Sequence, residues 1–260
     1  MTPLPFFIAL LLALSLPAFS SATEQPRAQS LSTPPLRALL ITGGCCHDYA
    51  TQTQHLTAAV AKIAPATEWT IVHEGGTGTR AELPLYDNPD WASPYDVIVH
   101  NECFADTATP DYIRKITAAH RAGKPAVVIH CAMHSYRAAQ IDDWREFLGV
   151  TSRRHDHQSR YLVHAVEPTH PALKKFPASA PWVTPLDELY IIEKLWPTAR
   201  ALAVSKSEKD GADHPVIWTN DYHGTRVFGT TFGHGNATWE DPVFQTLLAH
   251  GLLWAAGREN

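Results

Sequence analysis

Short apolar runs alternate with stretches of helical spacing through the first half of the chain. Arg37 to Thr42 (RALLIT) is apolar and stops at Gly43-Gly44, the pattern of a buried strand ending in a tight turn. Thr51 to Ala64 carries Leu56, Val60 and Ile63 at helical spacing, and Pro65 closes it. Glu68 to His73, Tyr95 to His100 (YDVIVH) and Ala126 to His130 (AVVIH) predict three further strands. Thr109-Pro110 supplies a cap and a first-turn proline for a helix reaching Ala122, and a second helix, Asp142 to Leu148, ends at Gly149. Strand–helix–strand units at this spacing predict an α/β fold with a mostly parallel sheet and helices on both faces.

The pattern changes from Tyr161 onward. Short strand-like runs lie at Tyr161–Val166, Tyr190–Leu195, Ala201–Val204, Val216–Tyr222 and Arg226–Thr231, the last two flanking the hairpin signal His223-Gly224. Asp241-Pro242 caps a final helix to Ala256. One domain with an antiparallel extension is the expectation.

Phe6 to Leu16 is almost wholly apolar but short for a membrane span, and Pro17 is followed by the small residues Ala18, Ser20, Ser21 and Ala22. Residues 1–22 are therefore expected to be a secretory signal, 23–35 a disordered leader and 36–258 the folded domain. A retained N-terminal anchor is the alternative, because no Lys or Arg precedes the apolar run. The resulting location is exported, periplasmic, with no membrane attachment after cleavage. Export permits disulfides among Cys45, Cys46, Cys103 and Cys131. The adjacent Cys45 and Cys46 are not expected to pair with each other; a bridge from one of them to Cys103 or Cys131 is open if strand ends are neighbours, and the connectivity is not fixed by the sequence. A net charge of −5 without a Lys/Arg run argues against nucleic-acid binding.

Fifteen histidines direct attention to proton transfer and metal ligation. Ligands of open parallel sheets bind beyond the carboxyl ends of the strands. Four sets of residues are expected on that rim: Gly43 to Tyr49, His100 to Cys103, His130 to His134, and Gly233 to Asn236. His130 is a candidate base or metal ligand, or else a buried imidazole satisfied by a carbonyl. Cys131 stands at a strand-to-turn elbow and is a candidate nucleophile with His234 as partner. His47 with Asp48 reads as an oriented pair, His134 as a neighbour of His130, and Glu188, just before Tyr190, as a candidate acid, base or ligand. His155, Asp156 and His157 read as a solvated loop. Trp91, Trp196 and Trp239 are candidate platforms for a sugar ring.

Several segments together carry a family likeness: ITGGCCHDY, VVIHCAMHSYR, EPTHPALKKFP, LDELYIIEKLWP, HPVIW and VFGTTFGHGNATWEDPVFQTLLAHGLLWAAG. In this order, across roughly Leu36 to Gly257, they resemble the ThuA-like (trehalose utilisation) family. The resemblance implies a class I glutamine-amidotransferase-like fold, a flavodoxin-like three-layer sandwich. It also implies a place in carbohydrate metabolism, often beside oxidoreductases that make 3-keto sugars. Family residues fall on His47, His130, Glu188 and His234; Cys131 is not a fixed cysteine of the family, and an exported chain has no synthase to receive ammonia.

The expectation is an exported enzyme hydrolysing, eliminating from or isomerising a glycoside or keto-sugar. His130, His234 and Glu188 are its candidate catalytic residues, and His47, Asp48, His134 and Tyr190 its substrate contacts. A divalent metal is left open, as is a homo-oligomer. The alternatives are a non-catalytic periplasmic carbohydrate-binding protein and a Cys131-dependent amidotransferase-like hydrolase.

Overall fold

The first strand, β1 (Arg37–Gly44), is buried at every residue but Arg37, as an apolar strand covered on both faces must be. The computed structural model describes residues 1–4 and 34–259. Residues 5–33, which carry most of the expected export signal and leader, lie outside the described residues. The chain from Pro35 onward is one compact unit. No helix among the described residues is long and apolar enough to cross a membrane.

After β1 come α1 (Tyr49–Ala61), β2 (Glu68–His73), β3 (Val97–Cys103), α2 (Pro110–Arg121), β4 (Ala126–Ile129) and α3 (Asp143–Leu148). The second half holds β5 (Val150–Ser159), β6 (Leu162–Ala165), β7 (Trp182–Val183), β8 (Asp187–Leu195), β9 (Ala199–Lys206), β10 (Asp213–Tyr222), β11 (Thr225–Thr230), α4 (Asn236–Glu240) and α5 (Pro242–Ala255). Nine strands form one sheet in the order β2-β1-β3-β4-β11-β10-β9-β6-β7, and β5 pairs with β8 in a separate ribbon. Strands β2, β1, β3, β4 and β11 are mutually parallel, and pairing from β11 through β7 is antiparallel. The expected parallel sheet with an antiparallel extension is therefore the observed one.

Two apolar cores form because strand side chains alternate between faces. On one face Leu40, Val99, Val127 and Ile129 pack against Leu56 and Val60 of α1 and Phe244, Leu248 and Leu252 of α5. On the other, Leu39, Ile41, Ile98 and Val128 meet Ile113 and Ile116 of α2 and Trp144, Phe147 and Leu148 of α3. Each such side chain contributes about 1.5–3 kcal/mol of transfer free energy on full burial. Helix entries follow their cap chemistry. Asp48 accepts from Thr51 N at 3.1 Å, and Asp241 accepts from Val243 N and Phe244 N.

The observed elements depart from the sequence reading at informative places. The third strand runs to Cys103 rather than stopping at His100, so Asn101 and Glu102 belong to the sheet and not to a loop. His100 is 0% exposed and points into the α2/α3 core, away from the rim. The segment His155–His157 is part of β5, not a solvated loop. Its polar side chains hide the strand because one face of a two-stranded ribbon meets water. β10 starts at Asp213 and contains Pro215, at an irregularity in the pairing with β9 where the missing N–H costs no ladder bond.

Candidate functional site

The carboxyl ends of β1, β3, β4 and β11 lie on one edge, and the chain leaves the sheet there each time, after β4 directly into a 3-10 turn. Gly43 and Gly44 both have positive φ, and a Cβ on Gly44 would lie 2.4 Å from the Cys103 carbonyl oxygen, so only glycine lets this turn approach β3. After β4, His130 itself adopts φ 46°, the left-handed conformation, at the start of a 3-10 turn. A non-glycine residue held there costs roughly 1–2 kcal/mol, and its ring is thereby turned into the rim.

Three imidazoles meet at this edge. Ring centroids are 4.8 Å apart for His47 and His130, 5.0 Å for His47 and His234, and 5.6 Å for His130 and His234. One ring nitrogen from each lies within 4.8 Å of the other two. His47 Nδ1 donates to the His234 carbonyl at 3.2 Å, and His130 Nδ1 donates to the Thr231 carbonyl at 2.6 Å. Both Nε2 atoms therefore carry lone pairs. That of His47 is buried without a partner, and that of His130 sees only the Tyr190 hydroxyl, at 3.3 Å, within hydrogen-bond reach. Burial pushes the His47 imidazole down to about 4, with His234 adding to the effect, and burial likewise holds His130 far below the ordinary range. Both are neutral imidazoles at pH 7.

The ribbon supplies the acids. Asp187 and Glu188 are neighbours on β8 and serve different ends, as alternating strand residues do. Asp187 is buried and accepts from Gly233 N at 3.0 Å, His234 N at 3.3 Å, the Thr238 hydroxyl at 2.5 Å and Glu188 N at 2.7 Å. Burial lifts its carboxyl to about 6 although those four donors oppose the shift. It fixes the loop that carries His234. Glu188 faces the histidines: Oε2 is 3.3 Å from His234 Nδ1, 3.7 Å from His155 Nδ1 and 3.9 Å from His130 Nε2. Burial raises its carboxyl, but His234, His155 and Gln158 outweigh this and hold it below the usual range. The same contact raises the His234 imidazole against the opposing effect of burial.

His47, His234 and Glu188 line a cavity of about 240 Å³ with Cys45, Cys46, Cys103, Cys131, His134, Arg137, His155 and Tyr190, and His130 lies behind that wall, its ring against those of His47 and Tyr190. His134 stacks on Tyr190 at 3.9 Å and bonds the Ser152 hydroxyl at 3.1 Å; burial pushes it down to about 3. It is a wall of the cavity rather than a fourth member of the histidine group. Asp48 does not pair with His47; it caps α1 and accepts from Asn236 Nδ2 at 2.9 Å, outside the cavity. None of the three tryptophans lines the cavity: Trp91 and Trp239 are core residues and Trp196 bonds Thr151.

The cysteines depart from expectation most. Cys45 pairs with its neighbour Cys46, and Cys103 pairs with Cys131. Cys131 is thus no free nucleophile in this structure, and the thiol-hydrolase reading lacks its thiolate. Sequence reasoning missed Asp187, Gln158 and His155. The signal available for Asp187 was its position next to Glu188 at the mouth of a strand.

A mostly parallel sheet between two helical layers, with polar groups gathered at its carboxyl edge, defines a flavodoxin-like α/β sandwich. The trehalose-utilisation (ThuA) family profile matches residues 37–255, and the chain belongs to that family. Membership gives it a carbohydrate-related role. Solved ThuA-like proteins share the fold. One from Parabacteroides merdae is 22% identical with a TM-score of 0.66, covering 85% of this chain and 90% of its own. One from Bacteroides uniformis is 18% identical at the same TM-score of 0.66, covering 88% and 94%. A β-galactosidase from Rahnella sp. R3 matches at 12% identity and a TM-score of 0.54, covering 85% of this chain but 31% of its own. No curated protein matches the sequence.

Proposed function

We infer that the chain is an exported enzyme acting on a keto-sugar or glycoside, with a divalent cation held by His47, His130 and His234. One observation carries this reading. Two neutral imidazoles have their Nδ1–H groups tied to backbone carbonyls and their Nε2 lone pairs turned to a space shared with His234 and Glu188. A carbonyl on the far nitrogen is the usual support of a metal-ligating histidine. Imidazole ligands with a carboxylate nearby suit zinc or a similar divalent ion.

Bound, the ion would act as a Lewis acid on a carbonyl or hydroxyl oxygen of the sugar. The protein's own groups do the rest. Glu188 is a carboxylate at neutral pH and faces the cavity, so it can take a proton from carbon next to a ketone or from a hydroxyl. The Tyr190 hydroxyl, which burial keeps protonated and which lies 3.3 Å from His130 Nε2, would donate to a sugar oxygen once that nitrogen holds the ion. At about 240 Å³ the cavity has the volume of one sugar ring, below the roughly 300–1,000 Å³ of sites for larger ligands. A second ring of a disaccharide would extend through the mouth.

The test is elemental analysis of the purified chain together with turnover of 3-keto-glycosides. Retention of a divalent ion that is lost in His130→Ala, with turnover stopped by a chelator and restored by the metal, supports the reading. Sugar binding without turnover under every metal condition would instead make it a carbohydrate-binding protein.

A further inference from the structure

The same edge holds a second donor cluster that the histidine site does not use. All four cysteines of the chain come together there from three separate segments. Cys45 Sγ lies 3.6 Å from Cys103 Sγ, so the two disulfides touch. The Cys103–Cys131 bridge spans 28 residues and can serve the fold. The Cys45–Cys46 bridge joins neighbours, closes no loop, and removes almost no freedom from the unfolded chain. Its contribution has to be sought in its chemistry. The turn before it is built for close approach: Gly43 and Gly44 take positive φ, Cys46 follows at φ 83°, and the Gly44 backbone lies against Cys103. Tyr49 seals the sulfurs from one side and bonds the Cys45 carbonyl at 2.8 Å.

The sulfurs of Cys45, Cys46 and Cys103 lie within 4.8 Å of one another, and among the described residues no fourth donor lies that close to all three. Zinc closes a structural site with four ligands, whereas thiolates select soft monovalent copper, which accepts three. We propose that the dithiol form of this cluster is a Cu(I) site made by Cys45, Cys46 and Cys103, adjoining the histidine site in the same cavity wall but sharing none of its ligands. The disulfides of the present structure are its oxidised, metal-free form. Each takes up two electrons and two protons: from a dithiol, which becomes a disulfide, or from a phosphine and one water, whose oxygen ends in the phosphine oxide and whose two hydrogens end on the thiols. Cu(I) then displaces the protons of the three thiols. Exposed Cys46 is the point of entry for the reductant, and Cys131 is left as a thiol within 4.8 Å of the Cys103 sulfur and a His47 ring nitrogen.

The experiment reduces the full chain with a water-soluble phosphine, removes it anaerobically and titrates Cu(I) against a chromophoric chelator. The reduced wild type is expected to withhold one equivalent and to show sulfur-to-copper absorption in the near ultraviolet. Cys103→Ser and Cys46→Ser should each weaken retention by about tenfold or more. Cys46 is exposed, so its variant keeps the test valid if Cys103→Ser misfolds. His130→Ala should retain copper fully, which separates this site from the histidine site. Equal retention by the unreduced chain, by both serine variants, or loss in His130→Ala would overturn the proposal.

Discussion

Two inward-facing groups of histidine and glutamate differ in kind. Under α2 and α3, His100 Nδ1 lies 2.9 Å from Glu102 Oε1, His100 Nε2 lies 3.0 Å from His120 Nε2, and His120 Nδ1 lies 2.7 Å from the Lys124 carbonyl. His100, Glu102 and His120 are all 0% exposed. This chain of bonds closes when His120 donates to Lys124, His100 donates to His120, and a proton sits between His100 and Glu102. Every imidazole nitrogen is then used, Glu102 Oε2 stays buried without a partner, and Phe147 stacks on His120 at 4.2 Å. The rim group, by contrast, has nitrogens left over and opens on a cavity. Burial of titratable groups is common to both. Unspent lone pairs facing a space are what distinguish a site from a structural network.

The largest effect expected from this contrast is on stability. Glu102→Ala leaves His100 buried with an unmatched donor and should cost about 3–5 kcal/mol, read by urea unfolding. It should leave divalent-metal retention intact; loss of the metal would erase the distinction between the two groups. Next, Glu188→Gln should reduce turnover of a keto-sugar by about 100-fold or more while the fold is kept, because it removes the base but not a ligand. Unchanged turnover would move the base elsewhere.

A third effect follows from His47, whose imidazole titrates near 4 in the fold and at 6.5 when free. Between these values the unfolded chain binds the additional proton, so stability rises with pH across that window. Without added metal, it should fall by up to about 3 kcal/mol as pH drops from 6.5 to 4. Asp187, lifted to about 6, acts oppositely: its share is present at low pH and lost as pH rises from 3.8 towards 6. Comparing wild type with His47→Asn isolates the histidine contribution, and equal slopes would refute it. The smallest effect is at Asp48, a helix cap: Asp48→Ala should cost about 1 kcal/mol and leave turnover unchanged, whereas a loss of turnover would return Asp48 to the site.

Much of the fold was legible because β1, β3 and β4 are continuous apolar runs punctuated by glycine or proline, and α2 and α5 announce themselves with Thr109-Pro110 and Asp241-Pro242. The rim positions of His47, His130 and His234 followed from strand ends alone. What stayed hidden depended on long-range pairing. β5 reads as polar because its partner β8 lies about thirty residues away, Gln158 meeting Glu188. The left-handed backbone of His130 has no signature in a sequence. The sulfur pairing depends on how near Gly44 brings one turn to the end of β3, which spacing does not encode.

The β5–β8 ribbon lies outside the nine-strand sheet yet delivers His155, Glu188 and Tyr190 to the cavity. On the proposed reading, substitutions on the exposed half of the ribbon reshape what the cavity admits, while Asp187 on β8 keeps the His234 loop in place. Relatives that keep the histidines but differ in this ribbon are the natural place to look for divergent substrate choice.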